Sequence, residues 1–171
     1  MNIWVPRTKI IEPRDLIISP AVIVSGEITA YLMGPDGRIR HACGPCKNLL
    51  TDFGRNEFFK NATTNSAFGS VGSGNATPVN GDVALQTWVA NSSSKAASTR
   101  NYATAPPYWI SEQRRYTFNP PGANKNITEF GVGGGASGTS LMIRSLFRDT
   151  GGNPVAISWL ANETLLIDHK I

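Results

Sequence analysis

Residues 108–171 contain five short runs of alternating character: YWISEQRRYTFN (108–119), NITEFGV (126–132), LMIRSLFR (141–148), PVAISWL (154–160) and TLLIDHKI (164–171). In each run, apolar or aromatic residues roughly alternate with polar ones, as in half-buried β-strands, whose successive side chains point to opposite faces. The segments between the runs are rich in Gly, Asn and Pro, which favour turns. Residues 108–171 are therefore predicted to form the C-terminal strands of an antiparallel β-sandwich or a jelly-roll-like barrel.

The preceding region adds a hairpin and one helix. The sequence VIVSGEITAYLM (22–33) and the turn that follows it, GPDG (34–37), predict a hairpin over residues 22–42. Residues 47–61 (KNLLTDFGRNEFFKN) space their leucines and phenylalanines near helical periodicity and predict a short helix. Residues 89–107 are mostly polar and end in two prolines, which predicts a long loop. The predicted fold is mainly β, with a single β-rich domain over residues 22–171.

Residues 1–21 are predicted to form an extended N-terminal arm. Prolines at positions 6, 13 and 20 each remove a backbone donor and disfavour helical geometry in the preceding residue. The apolar residues between them serve no purpose in a solvated tail, which indicates that the arm lies on its own domain or on a neighbouring subunit. Trp4, Ile10 and Ile11 are the candidate inter-subunit contacts of this arm.

Composition and charge limit the classes of partner. Charged residues make up 16% of the 171-residue chain, below the roughly 25% of an average soluble domain. The formal net charge is +4, but the basic residues are scattered, with no run longer than Arg114-Arg115, which disfavours a nucleic-acid partner. No apolar run reaches the roughly 20 residues that cross a bilayer, and residues 1–9 lack the apolar core of a signal peptide. We expect a soluble chain with no membrane partner.

The tetrapeptide Cys43-Gly44-Pro45-Cys46 resembles the active site of the thioredoxin family, in which one thiolate attacks a disulfide and the second cysteine resolves it. The surrounding sequence departs from that family: Ala42 replaces the tryptophan that usually precedes the motif, and no βαβ pattern leads into it. We expect a tight turn between a strand and a helix, and Cys43 and Cys46 are candidates for a small disulfide. Thiol–disulfide catalysis is a remote alternative.

The sequence assigns no catalytic, metal-binding or cofactor-binding residue. One CxxC with His41 nearby supplies too few ligands for zinc. Asp168 and His169 are adjacent in a predicted strand, so their side chains should point to opposite faces and form no catalytic pair. We therefore expect a chain that is not an enzyme.

Two further groups of residues are candidates for contacts. Arg144 and Arg148 lie four residues apart and are predicted to share a strand face and to make inter-subunit salt bridges. Several aromatic residues are expected in a core or an interface, with a carbohydrate- or base-stacking platform as the alternative. These aromatic residues are Trp88, Tyr108, Trp109, Tyr116, Phe118 and Trp159.

Five motifs follow one another between residues 47 and 171: NLLTDFG (48–54), VGSGNATP (71–78), DVAL (82–85), NITEFGV (126–132) and LMIRSLF (141–147). This succession resembles small structural proteins of tailed bacteriophages, of the tail-fibre, collar and baseplate type. In those proteins a helix of the form NLxTxxG is followed by GxGxxxP, then by D and L, then by ITEhG and hhxRxhF, where h is apolar.

The resemblance implies a β-rich, oligomeric and non-enzymatic protein that attaches fibres or tail parts to each other. Its partners would be further copies of itself and other virion proteins, and its location the virion, assembled in the host cytoplasm. Within the motifs, we expect Asp82 to end a turn, Glu129 to accept backbone donors beside the glycines, and Arg144 to pair with an acid on an adjacent strand. The alternatives are a receptor- or carbohydrate-binding β-sandwich module and a capsid decoration protein.

Overall fold

The structure, a computed structural model, describes residues 26–57, 68–93, 98–105, 110–133 and 138–171. Every strand pair within these ranges is antiparallel. The predicted fold class is confirmed: the chain is mainly β with one short helix, consistent with a β-sandwich. The predicted arm, residues 1–21, lies outside the described residues, and so do Trp4, Ile10 and Ile11.

The described residues form twelve strands, which in chain order are β1 (Glu27–Met33), β2 (Ile39–Lys47), β3 (Leu49–Leu50), β4 (Phe68–Gly72), β5 (Trp88–Asn91), β6 (Ser98–Tyr102), β7 (Ile110–Phe118), β8 (Lys125–Ile127), β9 (Glu129–Gly133), β10 (Leu141–Leu146), β11 (Ile157–Trp159) and β12 (Thr164–Lys170). A short helix, α1 (52–57), lies between β3 and β4.

Two five-stranded sheets face each other across a shared core. The first sheet has the order β2-β1-β12-β7-β6 and the second the order β3-β10-β9-β4-β5, while β8 and β11 pair as a separate ribbon. Tyr116 of β7 meets Phe130 of β9, with 5.5 Å between the ring centroids. Phe118 of β7 packs edge-on against Trp159 of β11 at 6.2 Å. These four buried rings join both sheets and the ribbon into one hydrophobic cluster.

The predicted hairpin is confirmed where the structure describes it, as β1 and β2 joined by the turn 34–37. The Gly37 N–H donates to the carbonyl oxygen of Gly34 at 3.0 Å, and Gly37 has a φ of 77°, which glycine adopts without steric cost. Alternate residues of β1 are buried, as expected for a strand with one face in the core. Strand β2 continues to Lys47, past the predicted end at Ala42.

The predicted helix 47–61 is wrong at its start. Lys47 ends β2 and Leu49–Leu50 forms β3, so α1 begins only at residue 52; residues 58–61 lie outside the described ranges. Thr51 explains this start, because its hydroxyl oxygen accepts the N–H of Gly54 at 2.9 Å and caps the helix. The two leucines that fitted helical spacing belong to a short strand paired with β10.

The predicted loop 89–107 is also wrong where the structure describes it, because β5 and β6 occupy much of that range. Strand β6 reads STRNY and is one of the two outer strands of the first sheet. Short, polar strands are typical of sheet edges, where polarity discourages unwanted pairing with another chain. The polarity that predicts a loop here is the polarity of an edge strand.

Gly54 is the position at which α1 touches the second sheet. A Cβ added there would collide with the main-chain carbonyl of Met142 in β10. We expect Gly54→Ala to lower the free energy of unfolding by about 1–3 kcal/mol, the usual cost of overpacking, although alanine is the better helix former. Urea unfolding measures this against Gly81→Ala, where an added Cβ would meet no atom within 4 Å. Equal unfolding midpoints for the two variants would contradict the close approach of helix and sheet.

Candidate functional site

The segment 73–87 crosses the outer face of the second sheet. On β9, Phe130 and Val132 belong to the core, so Glu129 and Gly131 point to the opposite, outer face. Leu85 covers Gly131: a Cβ added to that glycine would lie 3.1 Å from the Leu85 side chain, and Leu85 is only 7% exposed. The segment thus creates a second buried layer, in which any charged group requires a partner.

Glu129 fixes the segment 73–87 from beneath. Its side chain is fully buried, and its carboxylate accepts the N–H groups of Gly74 and Thr87 at 3.0 Å and of Gln86 at 3.3 Å. One carboxylate therefore satisfies backbone donors at both ends of the segment. The expectation that Glu129 accepts backbone donors beside the glycines is confirmed.

Arg144 of β10 pairs with Glu129 and with Asp82, and we call these three residues the Arg144 network. The guanidinium is 3% exposed and lies 2.8 Å from Glu129 Oε2 and 2.8 Å from Asp82 Oδ2. It also donates to the carbonyl oxygen of Ala76 at 3.1 Å. Burial opposes the charge, but the two carboxylates outweigh burial and raise the pKa of Arg144 above its ordinary value.

Asp82 joins this network to a turn. Its carboxylate accepts the N–H of Val79 at 2.9 Å, and its own N–H donates to the Val79 carbonyl oxygen at 3.0 Å. The same Oδ2 atom that accepts from Val79 also accepts from Arg144. The expectation that Asp82 ends a turn is confirmed, and the structure adds that this turn is tied to β10.

Gly72 and Gly74 leave the room that the buried carboxylate requires. A Cβ added to either glycine would lie 2.5 Å from Glu129 Oε1, closer than real carbon–oxygen contacts. Any larger residue at these two positions would displace Glu129 from the amide groups that it accepts. The GxG spacing is therefore set by the carboxylate beneath it.

The position of Arg144 confirms one expectation and corrects another. Its pairing with an acid on an adjacent strand is confirmed, since Glu129 lies on β9, which pairs with β10. The expected inter-subunit salt bridge has no support for Arg144, because its guanidinium is buried and directed at its own chain.

Arg148 does not share a strand face with Arg144, and that prediction is wrong. Strand β10 ends at Leu146, and Arg148 forms only an isolated bridge with Pro154. The Arg148 guanidinium donates to the carbonyl oxygen of Gly152 at 2.6 Å. An inter-subunit role for this half-buried side chain stays a prediction.

Cys43 and Cys46, which we call the dithiol site, lie inside β2 and not in a turn between a strand and a helix. The expected turn is replaced by an irregularity in the pairing of β1 with β2, at which the Gly44–Pro45 peptide bond is cis. Both cysteines are buried free thiols, with 3.4 Å between their Sγ atoms. The disulfide between them stays a prediction.

Main-chain groups of Arg148 hold the two thiols in different roles. Its N–H donates to Cys46 Sγ at 3.2 Å, and its carbonyl oxygen accepts from Cys43 Sγ at 2.9 Å. The hydrogen bond from Cys43 and the main chain and charge of Arg148 together lower the pKa of Cys46 to about 7, against the effect of burial. The hydrogen bond with Cys46 and burial raise the pKa of Cys43. The surroundings therefore favour the thiolate at Cys46 over the thiolate at Cys43.

The dithiol site borders a depression of about 580 Å³. Its lining residues are Gly44, Pro45, Cys46, Lys47, Arg148, Asp149, Thr150 and Gly152. Cys46 belongs to this lining and Cys43 does not, although both cysteines are almost fully buried, at 2% and 4% exposed.

Asp168 and His169 point to opposite faces of β12, as predicted. Asp168 forms a two-point ion pair with Arg115 on the outer face, at 2.6 and 2.7 Å. His169 is buried, and its Nε2 lies 2.8 Å from Asn48 Nδ2. Asn48 and His169 are 121 positions apart, so no local pattern in the sequence indicates this contact. Because the amide donates to Nε2, the imidazole is neutral in this position.

The aromatic residues do not form one stacking platform. Tyr116, Phe118 and Trp159 are buried in the core, which is the role that was expected first. Trp88, at the start of β5, is 51% exposed and donates from its indole N–H to Asn91 at 2.9 Å. Tyr108 and Trp109 lie outside the described residues.

No helix in the described ranges is long and apolar enough to span a membrane. Within the same ranges, no three side chains of Cys, His, Asp or Glu gather into a group that would hold a metal ion. Comparison of the chain with family models, with curated proteins and with solved structures found no match.

Proposed function

We propose that the chain is a structural component of a bacteriophage virion, which joins or forms part of the tail, collar, baseplate or fibre apparatus. In this role it assembles as a homo-oligomer in the host cytoplasm, contacts other virion proteins and catalyses no reaction. The resemblance of its ordered motifs to tail-fibre, collar and baseplate proteins motivates the proposal.

One observation carries it: residues from four separate motifs meet in and around the Arg144 network. The glycines of VGSGNATP, Asp82 of DVAL, Glu129 of NITEFGV and Arg144 of LMIRSLF contact one another across the second sheet. A buried ion pair is costly unless every partner is present, so such a set of residues is retained together or lost together. The joint presence of these motifs thus has a physical cause in one architecture, which supports the resemblance.

Features of the sheet edges fit assembly. The outer strands of a sheet carry unpaired backbone groups that another chain can use for pairing. Trp88 begins β5, an edge of the second sheet, and Tyr102 ends β6, an edge of the first; they are 51% and 67% exposed. The N-terminal sequence supplies apolar segments at residues 3–5, 10–11 and 16–18. These segments have the composition that a strand added to a neighbouring subunit requires.

The oligomeric state of the purified full chain tests the proposal. We expect sedimentation velocity to give a species several times the 18.4 kDa mass of one chain. Replacing both Ile10 and Ile11 with aspartate should shift this species toward the monomer, because charges in an arm contact would be buried without partners. Deleting residues 1–21 should have the same effect.

The matched control places the same two charges on the domain surface, as Ile39→Asp combined with Leu160→Asp, at positions that are 54% and 42% exposed. This variant should keep the mass of the unaltered chain, and circular dichroism should show that all variants remain folded. A full chain that sediments as a monomer at every concentration tested would contradict the assembly role.

A further inference from the structure

The dithiol site is not explained by a structural role in a virion. Two buried thiols in a β-strand that have no chemical role pack as small apolar side chains. Here they are 3.4 Å apart, and each contacts the main chain of Arg148. This arrangement gives the pair a chemistry of its own.

The separation of the sulfur atoms is suited to bond formation. A disulfide has an S–S distance of about 2.05 Å, so the two Sγ atoms need to approach by only about 1.4 Å. Both cysteines lie on β2, one of the two outer strands of the first sheet, where a small shift disturbs one neighbouring strand of that sheet rather than two.

The two thiols are not equivalent. Cys46 accepts the Arg148 N–H at 3.2 Å and lines the depression, whereas the Cys43 thiol donates to the Arg148 carbonyl oxygen at 2.9 Å and does not line it. Donors directed at a sulfur stabilise its thiolate, which is the nucleophilic form. Cys46 is therefore the attacking residue and Cys43 the resolving residue.

The depression indicates what reaches Cys46. Its volume of about 580 Å³ lies within the range of small-molecule sites. Two cationic side chains, Lys47 and Arg148, and one carboxylate, Asp149, belong to its lining, so the local charge favours an anion. A compact, negatively charged molecule with a disulfide bond matches both properties.

We propose that Cys46 and Cys43 form a reactive dithiol site for low-molecular-weight anionic disulfides of the glutathione disulfide class. The Cys46 thiolate attacks one sulfur of the small disulfide, breaks its S–S bond, forms a mixed disulfide and releases one small thiolate. That thiolate takes the Cys43 proton, and the Cys43 thiolate then attacks Cys46 Sγ. The products are the Cys43–Cys46 disulfide and a second small thiolate, which takes a proton from water. One small disulfide is reduced to two thiols as the protein dithiol is oxidised.

Mass spectrometry of the folded full chain tests this after incubation in glutathione redox mixtures and acid quenching. The unaltered chain should lose two hydrogen atoms without retaining glutathione, and should regain them in reducing mixtures. Cys43→Ser should accumulate one glutathione on Cys46, because the resolving thiol is missing. Cys46→Ser should acquire glutathione at least tenfold more slowly, because Cys43 faces the Arg148 carbonyl oxygen, which does not stabilise a thiolate, and does not line the depression.

A charge variant and an uncharged disulfide test whether charge draws the small disulfide to Cys46. Lys47→Gln should slow the reaction with glutathione disulfide but not with neutral 2-hydroxyethyl disulfide, since only the anion is attracted by the lysine. Oxidation no faster than global unfolding, or faster modification of Cys46→Ser than of Cys43→Ser, would overturn the proposal. The chemistry does not depend on assembly, so either result leaves the sedimentation test of the virion role unaffected.

Discussion

Arg144→Met is expected to lower the free energy of unfolding by about 3–5 kcal/mol. The substitution leaves Glu129 fully buried and Asp82 half-buried without their cationic partner, and removing one member of a buried ion pair is far more costly than the pair is stabilising. Methionine keeps much of the side-chain volume, so the loss reports charge rather than a cavity. Urea unfolding followed by tryptophan fluorescence measures the change.

The control for this variant is Arg115→Met. Arg115 forms an ion pair with Asp168 at 2.6 Å, but both side chains are more than one third exposed. Exposed pairs contribute at most about 1 kcal/mol, so this variant should unfold near the unaltered chain. Native-state hydrogen exchange adds a local measurement, because the amides of Gly74 and Thr87 should lose protection in Arg144→Met. A loss of stability no greater than that of Arg115→Met would show that the network is not a buried ion pair.

The second large effect is the dependence of stability on pH that His169 introduces. Burial, and then the positive charge of Arg114, lower the pKa of His169 to about 3. The groups that face its ring are Asn48, Arg114 and the ring of Tyr116. In the unfolded chain a histidine has a pKa of about 6.5. Between about pH 3 and pH 6.5, therefore, His169 binds a proton in the unfolded state but not in the folded state.

The sign of the effect follows from that difference. Above about pH 6.5 neither state is protonated at His169 and the residue adds no pH dependence. As the pH falls below that value, the free energy of unfolding decreases by about 1.4 kcal/mol per unit, which gives about 2 kcal/mol at pH 5, and the decrease ends near pH 3. The difference between the unaltered chain and His169→Gln, measured by urea unfolding at several pH values, isolates this contribution from that of the carboxylates.

His41→Gln is the matched control for the pH measurement, because it removes the other histidine from an exposed position on β2. Glutamine at position 169 retains an oxygen that accepts from Asn48, so its variant should fold and should lose the one-proton slope between pH 6.5 and 4. A parallel pH dependence in the unaltered chain and in His169→Gln would contradict a neutral, buried imidazole.

Local patterns predicted the strands but not what covers them. All six residues of β10 are buried, so the strand has no exposed face, although its sequence includes Arg144 and Ser145. The outer face of β10 is covered by the segment 73–87, a contact between parts of the chain more than 50 positions apart. Such a contact produces no hydrophobic periodicity in the sequence of either part. For the same reason the burial of Arg144 was not foreseen, whereas its pairing with an acid was suggested by the motif order.

Errors at the ends of elements have similar causes. Residues 47–50 fitted a helix because apolar residues spaced one or four positions apart occur in helices. The same spacing also arises when a short strand directly precedes a helix. The capping residue Thr51 was a local signal for the true start of α1, since threonine before an acidic residue commonly begins a helix. The dithiol site could be found as a motif, but its position inside β2 depends on the pairing with β1, which a tetrapeptide does not encode.

The segment 73–87 is held entirely from its inner side. Glu129 and Arg144 bind its backbone and its own Leu85 packs against β9, while Val79 and Val83 are 58% and 66% exposed on its outer side. The inner side of the segment therefore maintains the fold. The exposed side chains on its outer side are not needed for the fold. Exchanges at positions 79 and 83 alter what this surface offers to a neighbour while the scaffold beneath stays the same, so related chains can change partners here without having to refold.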